Sequence, residues 1–257
     1  METKTFAIGD IHGRFEALKQ CLKKSKFDYD KDTLIVLGDV VDGGKDTKEC
    51  VDLLLGINNL ILIKGNHDEW FQEHIKKGFQ EEMWIQQGGA FTLQSYGAEI
   101  IDIGKNVSES SHLDMDNVWI PASHQNFFNK GKYYHIKNNM IFVHGGFNPL
   151  IKLEKNPIRD FLWDRHLIKL AKEKSIYRND KLPINKKRNW KKVFIGHTTT
   201  QDRLFGKHQG LKPVILNNLY CLDTGAGWSG RLTIMNIDTE EYWQSDVQAP
   251  SGCRRKN

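Results

Sequence analysis

The chain has 257 residues, and 37 Lys and Arg against 32 Asp and Glu leave a formal net charge of +5. That length can bury a sizeable core, and 39% hydrophobic with 27% charged residues excludes an intrinsically disordered chain. No apolar run approaches the ~20 residues that span a bilayer. Cys21, Cys50, Cys221 and Cys253 form no Cys-x-x-Cys pair, against a zinc ribbon or disulfide scaffold. Met1 to Lys4 lead into a strand-like run without a secretory pattern, so the reducing cytoplasm is the expected location. The small positive surplus leaves anionic substrates in play and gives no support for nucleic acid.

The first strand is expected at Thr5–Ile8, running into Gly9-Asp10 and His12. Arg14–Lys24 then places Phe15, Leu18 and Leu22 at helical spacing. Leu34–Leu37 reads as a second strand ending at Gly38-Asp39, and Lys48–Leu55 as a helix carrying Val51 and Leu54. A third strand, Leu60–Ile63, leads through Lys64 to Gly65-Asn66. Such continuous apolar runs suit strands buried on both faces of an α/β sheet.

Glu69–Gln87 reads as an amphipathic helix opening a helical cap over about residues 69–130, with Trp70, Phe71, Met83 and Trp84 packing it on the body. Tyr133–Ile136 and Met140–Val143 flank Asn138-Asn139, a hairpin signal because Asn tolerates positive φ. Lys152–Lys192 is a charged excursion with weak secondary-structure signals. Val193–Ile195 ends at Gly196-His197. Two further hairpins are expected, Val214–Leu216 with Leu219–Leu222 around Asn217-Asn218, and Leu232–Ile237 with Glu241–Gln244 around Asp238-Thr239. The tail from Ala249 to Asn257 is expected to fray. The whole reads as one α/β (α+β) domain, a mixed sheet or two-sheet sandwich flanked by helices.

Chemistry sits where the strands end. Asp10, His12, Asp39, Asn66, His144 and His197 all follow apolar runs, and loops at the carboxyl ends of α/β strands converge on one crevice. Two Asp, one Asn and three His exceed the needs of one tetrahedral zinc. They suit two metals at about 3.5–4 Å that share a carboxylate. Imidazole with carboxylate favours Mn, Fe, Zn or Ni.

Gly9-Asp10-Ile11-His12-Gly13, Gly38-Asp39-Val40-Val41-Asp42-Gly43-Gly44, Gly65-Asn66-His67-Asp68, His144-Gly145-Gly146 and Gly196-His197-Thr198 occur in that order. In this the chain resembles the calcineurin-like metallophosphoesterases, most of all the phosphoprotein phosphatase branch and its compact bacterial and phage members. Trp84-x-x-x-Gly88-Gly89, Leu162-Trp163-Asp164-Arg165 and Leu222-Asp223-Thr224-Gly225-Ala226 add to the match, which covers roughly residues 5–237. The resemblance implies that Asp10 and His12 bind a first metal, with Asp39 bridging to a second held by Asn66, His144 and His197. It implies two divalent ions, Mn before Fe, Zn or Ni, whose shared hydroxide attacks phosphorus. His67 would be the general acid, Asp42 its orienting carboxylate and Arg165 the phosphate clamp. A phosphorylated protein or small phosphoester is then the expected partner, and phosphoserine or phosphothreonine the expected class.

One departure weakens that specificity. The phosphoprotein phosphatase pattern usually has Arg where this chain has Gly43, and the loss removes a charge-assisted clamp. Lys45 lies near enough in sequence to stand in. Hydrolysis of dinucleoside polyphosphates such as diadenosine tetraphosphate, as in related bacterial members of the superfamily, is the alternative. A catalytically silent scaffold would show eroded ligands, and all six are present. The run Lys186-Lys187-Arg188-Asn189-Trp190-Lys191-Lys192 reads first as a solvated loop and second as a surface for acidic substrates. Thr224-Gly225-Ala226-Gly227 lacks the spacing of a phosphate-binding loop and reads as a tight turn.

Overall fold

The computed structural model of the chain describes residues 3–78, 82–100, 113–176, 190–206 and 210–250. Its first part alternates as the apolar runs suggest: β1 (Thr5–Ile8), α1 (Phe15–Lys24), β2 (Thr33–Val36), α2 (Thr47–Leu55), β3 (Asn59–Leu62) and α3 (Asn66–Lys77). β1, β2 and β3 pair in parallel, with α1 and α2 as the crossovers that parallel strands require. Then come α4 (Glu82–Trp84), a π turn at Ile85–Gly89, α5 (Ala90–Ser95), β4 (Glu99–Ile100), β5 (Leu113–Asp114) and α6 (Ala122–Asn129). The remainder runs β6 (Tyr134–Lys137), β7 (Met140–Val143), α7 (Ile158–Trp163), α8 (His166–Ile176), β8 (Lys192–Ile195), β9 (Val214–Leu216), β10 (Leu219–Cys221), β11 (Thr233–Asn236) and β12 (Tyr242–Gln244).

Two five-stranded mixed sheets result, ordered β12-β11-β1-β2-β3 and β6-β7-β8-β10-β9. Strand alternation shows how they stack. Ala7, Ile35, Met140, Phe142, Phe194, Tyr220 and Met235 share one buried cluster between the sheets. There the Phe142 and Phe194 rings stack at 5.0 Å, and Phe194 and Tyr220 at 4.8 Å. The intervening residues Phe6, Ile8, Leu34 and Val36 face outward into a cluster with α1, α2 and α3. On the other side Ile141, Val143, Val193 and Ile195 meet Phe161, Leu167, Ile168 and Ala171 of α7 and α8. The fold is therefore a helix-flanked sandwich of two sheets. Both faces of the central strands are buried, which is why these runs carry no polar alternation.

The hairpin expectations hold in register. Asn138 and Asn139 take φ of 49° and 59° between β6 and β7, the paired left-handed turn that fits strand twist. β9 and β10 pair around Asn217, also left-handed at 57°. Between β11 and β12 the left-handed residue is Glu240 at 64°, not Asp238 or Thr239. The Asn236 side-chain oxygen accepts from the backbone N–H of both Asp238 and Thr239 and widens that turn.

Two expectations are corrected. The helix assigned to Glu69–Gln87 starts at Asn66, because the Asp68 carboxylate accepts the Gly65 N–H at 2.9 Å and caps it. It stops at Gly78, left-handed at φ 65°, before helix resumes at α4. The charged excursion from Lys152 contains α7 and α8. Asp164 starts α8 by accepting the N–H groups of His166 and Leu167 at 3.0 Å each. Of the basic run, 186–189 lie outside the described residues, as do 251–257 of the tail, whereas Lys192 belongs to β8.

Candidate metal centre

Asp10 and His12 leave β1, Asp39 leaves β2, Asn66 opens α3 directly after β3, His144 follows β7 and His197 follows β8. The structure brings all six to one edge of the sandwich. His12, Asp39, Asp42 and His197 hold left-handed φ of 51°, 49°, 68° and 63°. That conformation is costly for residues with a Cβ and concentrates at functional sites. Close approach needs glycine too. A Cβ on Gly65 would strike the Asp39 carboxylate, and one on Gly196 the Asp10 carboxylate.

Ligand atoms of Asp10, His12 and Asp39 lie within 4.8 Å of one another, as do those of Asp39, His144 and His197. Asp39 is common to both groups. His144 Nδ1–H donates to the Leu37 carbonyl at 2.7 Å, so its Nε2 presents a lone pair. That atom lies 3.1 Å from Asn66 Oδ1 and 3.3 Å from Asp39 Oδ2. His12 Nδ1–H likewise donates to the Val41 carbonyl at 3.0 Å, and its Nε2 stands 3.8 Å from Asp39 Oδ2. Lone pairs converging on one point repel unless a cation or proton lies between them. Asp10 Oδ1 and His197 Nε2 are buried with no hydrogen-bond partner, a rare condition away from metal sites. The donor set fits a pair of divalent cations.

The electrostatics divide the donors: burial lowers the His144 pKa, but the Asp39 carboxylate outweighs burial and raises it, so a proton between Nε2 and Asp39 competes with a cation there. Burial, with Asp223 and Asp39 nearby, pushes the Asp10 carboxyl well above its ordinary range. Burial also opposes the Asp39 anion, but the imidazoles of His144 and His67 outweigh it and hold that carboxyl low. Burial lowers His12 to about 4 and depresses His197 well below the ordinary imidazole value. Both imidazoles are thus neutral, the form that ligates metals.

Beside these donors His67 Nδ1 meets Asp42 Oδ2 at 2.6 Å. Burial opposes the His67 imidazolium, but the Asp39 and Asp42 carboxylates outweigh it and raise its pKa to about 9. Two groups overlooked in the sequence hold Asp42. Trp84 Nε1–H donates to Oδ2 at 2.9 Å, and the Thr92 hydroxyl donates to Oδ1 at 2.6 Å while accepting the Asp42 N–H at 2.9 Å. Trp84 is fully buried as expected, and Phe71 with it, whereas Met83 is 45% exposed and packs little. Trp70 stands edge-on to His67 at 5.1 Å and to Trp163 at 5.2 Å. It also packs, partly buried, against the core cluster beneath α3, as expected.

A cavity of about 230 Å³ opens over these groups, lined by His12, Asp39, Asn66, His67 and His197, with Arg165 at its rim. Gln87, Trp163, Thr198, Thr199, Asp202, Asp223 and Trp228 complete the walls, residues whose roles the sequence alone does not reveal. Asp223 carried the available signal, since it follows β10 as the other donors follow their strands. Gly43 sits at φ 89°, where an arginine would be strained. Lys45 is exposed and does not line the cavity.

Comparison with known proteins agrees with this geometry. The profile of the calcineurin-like phosphoesterase family matches residues 3–226. A symmetrical bis(5′-nucleosyl)-tetraphosphatase of Pseudomonas fluorescens is 24% identical over 96% of this chain and 95% of its own length. One from Neisseria meningitidis serogroup A is 27% identical over 98% of each. Serine/threonine-protein phosphatase 1 of Salmonella typhimurium is 32% identical, but over 33% of this chain and 38% of its own. Among solved structures, a candidate diadenosine tetraphosphatase superposes with a TM-score of 0.60 and 17% identity, covering 96% of this chain and 94% of that one. A serine/threonine phosphatase from Saccharomyces cerevisiae superposes at 0.52 with 15% identity, covering 96% and 80%.

Proposed function

The chain belongs to the calcineurin-like phosphoesterase family and is a phosphoester hydrolase of the metal-dependent kind; from that premise we propose that it cleaves the central phosphoanhydride of dinucleoside tetraphosphates. One observation carries this over phosphoprotein dephosphorylation. The similarity to symmetrical tetraphosphatases runs end to end, and that to the protein phosphatase stops at a third of the chain.

In this reading Asp10, His12 and Asp39 hold one cation, and Asp39, Asn66, His144 and His197 the other. When bound, the pair supplies Lewis acidity, bringing the pKa of water towards neutrality and offsetting phosphate charge. The Leu37 and Val41 carbonyls take the Nδ1–H of His144 and His12, which would leave each Nε2 to a cation. Arg165 receives phosphate oxygens at the rim with its fork of donors. Asp42, held by Trp84 and Thr92, binds His67 through Nδ1 and leaves Nε2–H to hydrogen-bond the departing oxygen, with no proton transfer required for a phosphate leaving group. Water adds to phosphorus, the P–O bond breaks, and two nucleoside diphosphates leave.

A second reading, hydrolysis of phosphoserine or phosphothreonine esters, draws on the same His67–Asp42 pair, because an alkoxide leaving group needs a proton where a phosphate anion does not. The test is a substrate panel with Mn-loaded protein, diadenosine tetraphosphate against phosphopeptides, with products separated by chromatography. Release of adenosine diphosphate as the faster reaction is expected. Turnover of phosphopeptides alone would overturn the proposal in favour of the second reading.

A further inference from the structure

We propose that the indole of Trp228 is a stacking wall for a nucleobase attached to the bound phosphate chain, an inference that rests on the tetraphosphate reading above. Trp228 lines the cavity beside His12, Asp39 and Asp223 and is half-buried. Phosphoanhydride hydrolysis itself makes no use of an indole. A large apolar ring among metal donors is explained by a flat ligand face that covers it.

The backbone that presents the ring is held from several sides. Gly225 turns at φ 87°, and its carbonyl accepts the N–H groups of Trp228 at 3.0 Å and Gly230 at 2.8 Å. Gly227 has no Cβ because the His12 ring lies against it. Arg14 reaches across from the turn after β1 and donates to the carbonyls of Ala226 at 3.1 Å, Gly227 at 3.5 Å and Ala249 at 3.0 Å. The Gly230 carbonyl accepts the Gln248 N–H at 2.8 Å. These bonds hold the backbone that carries the indole, and an aromatic on a fixed backbone, with two torsions of its own, loses little entropy on binding. The other indole on the wall, Trp163, meets Trp70 edge-on at 5.2 Å and His197 at 5.7 Å. Gln87 and Asp202 also line the cavity and offer donors and an acceptor for the polar edge of a base.

Adenosine diphosphate and inorganic pyrophosphate carry the same phosphates and differ by the nucleoside. Their equilibrium affinities for the Mn-loaded protein would be measured by calorimetry for the wild type, W228A, W228L and W228F. Stacking predicts that preference for the nucleotide over pyrophosphate falls roughly 5- to 150-fold in W228A. It predicts a comparable fall in W228L, which keeps apolar bulk without a π face, and near-complete retention in W228F, which also controls for folding. An unchanged preference in W228A, or W228L matching W228F, overturns the inference. Wild-type turnover of diadenosine tetraphosphate is measured in parallel. If the wild type cleaves it and the preference is unmoved, stacking alone fails; if the wild type does not cleave it, the substrate reading and the stacking wall fail together.

Discussion

His67 and Asp42 form the pair whose use separates the two substrate readings. An imidazolium at 2.6 Å from a buried carboxylate is set up to protonate a poor leaving group, and general acids contribute about 10²–10⁴-fold. His67→Asn is therefore expected to lower kcat on phosphoserine peptides by about that factor and on dinucleoside tetraphosphate far less, because the departing phosphate is a stable anion. Equal losses on both substrates would contradict this assignment of the proton. Thr92 tests the support behind the pair. Thr92→Val is nearly isosteric, yet it removes one donor to Asp42 Oδ1 and the acceptor of the Asp42 N–H. Hydrogen bonds to charged groups are worth about 1.5–3 kcal/mol, so denaturant unfolding should show a loss of that order. Full rescue of kcat on phosphopeptides in a folded T92V protein would show that Thr92 does not act through His67.

At the level of elements, the site was more legible than the scaffolding. Asp10, Asp39 and His144 could be placed because each ends a run such as Leu34–Leu37 or Met140–Val143, whose apolar length identifies a doubly buried strand. Trp84 looked like packing because an indole carries no sign of its N–H partner; Asp42 lies 42 positions away. α8 is hard to see in the sequence for another reason. Its buried stripe, Leu167, Ile168 and Ala171, is narrow and interleaved with Lys169, Lys172 and Glu173, so the segment reads as charged. Leu167 is fully buried against the second sheet. Leu167→Ala is expected to cost about 2–5 kcal/mol, measured by denaturant unfolding, while leaving the candidate metal donors in place. A loss within 0.5 kcal/mol would mean that α8 does not cover that sheet.

For the whole molecule, the donors tie two halves together. Asp10, Asp39 and Asn66 come from the first sheet, and His144 and His197 from the second. Without cations this edge holds a carboxyl, Asp10, that burial first, and the neighbouring Asp223 and Asp39 second, keep from ionising, hence its raised pKa, and imidazole nitrogens that face oxygens. The apolar layer between the sheets must then hold the edge closed. A ligand present at 100 times its Kd stabilises the folded state by about 2.7 kcal/mol. For a domain of this size that corresponds to roughly 5–10 °C in Tm. Chelation is therefore expected to lower Tm by about that much, and Mn should restore it. Asp39→Asn removes the carboxylate common to both groups, together with the attraction by which the His144 and His67 imidazoles hold it low. Its Tm without metal should thus lie below that of the metal-free wild type, and added Mn should raise it little. If the D39N protein instead gained as much from Mn as the wild type, Asp39 would not be the shared ligand, and the two sheets would be joined through other groups.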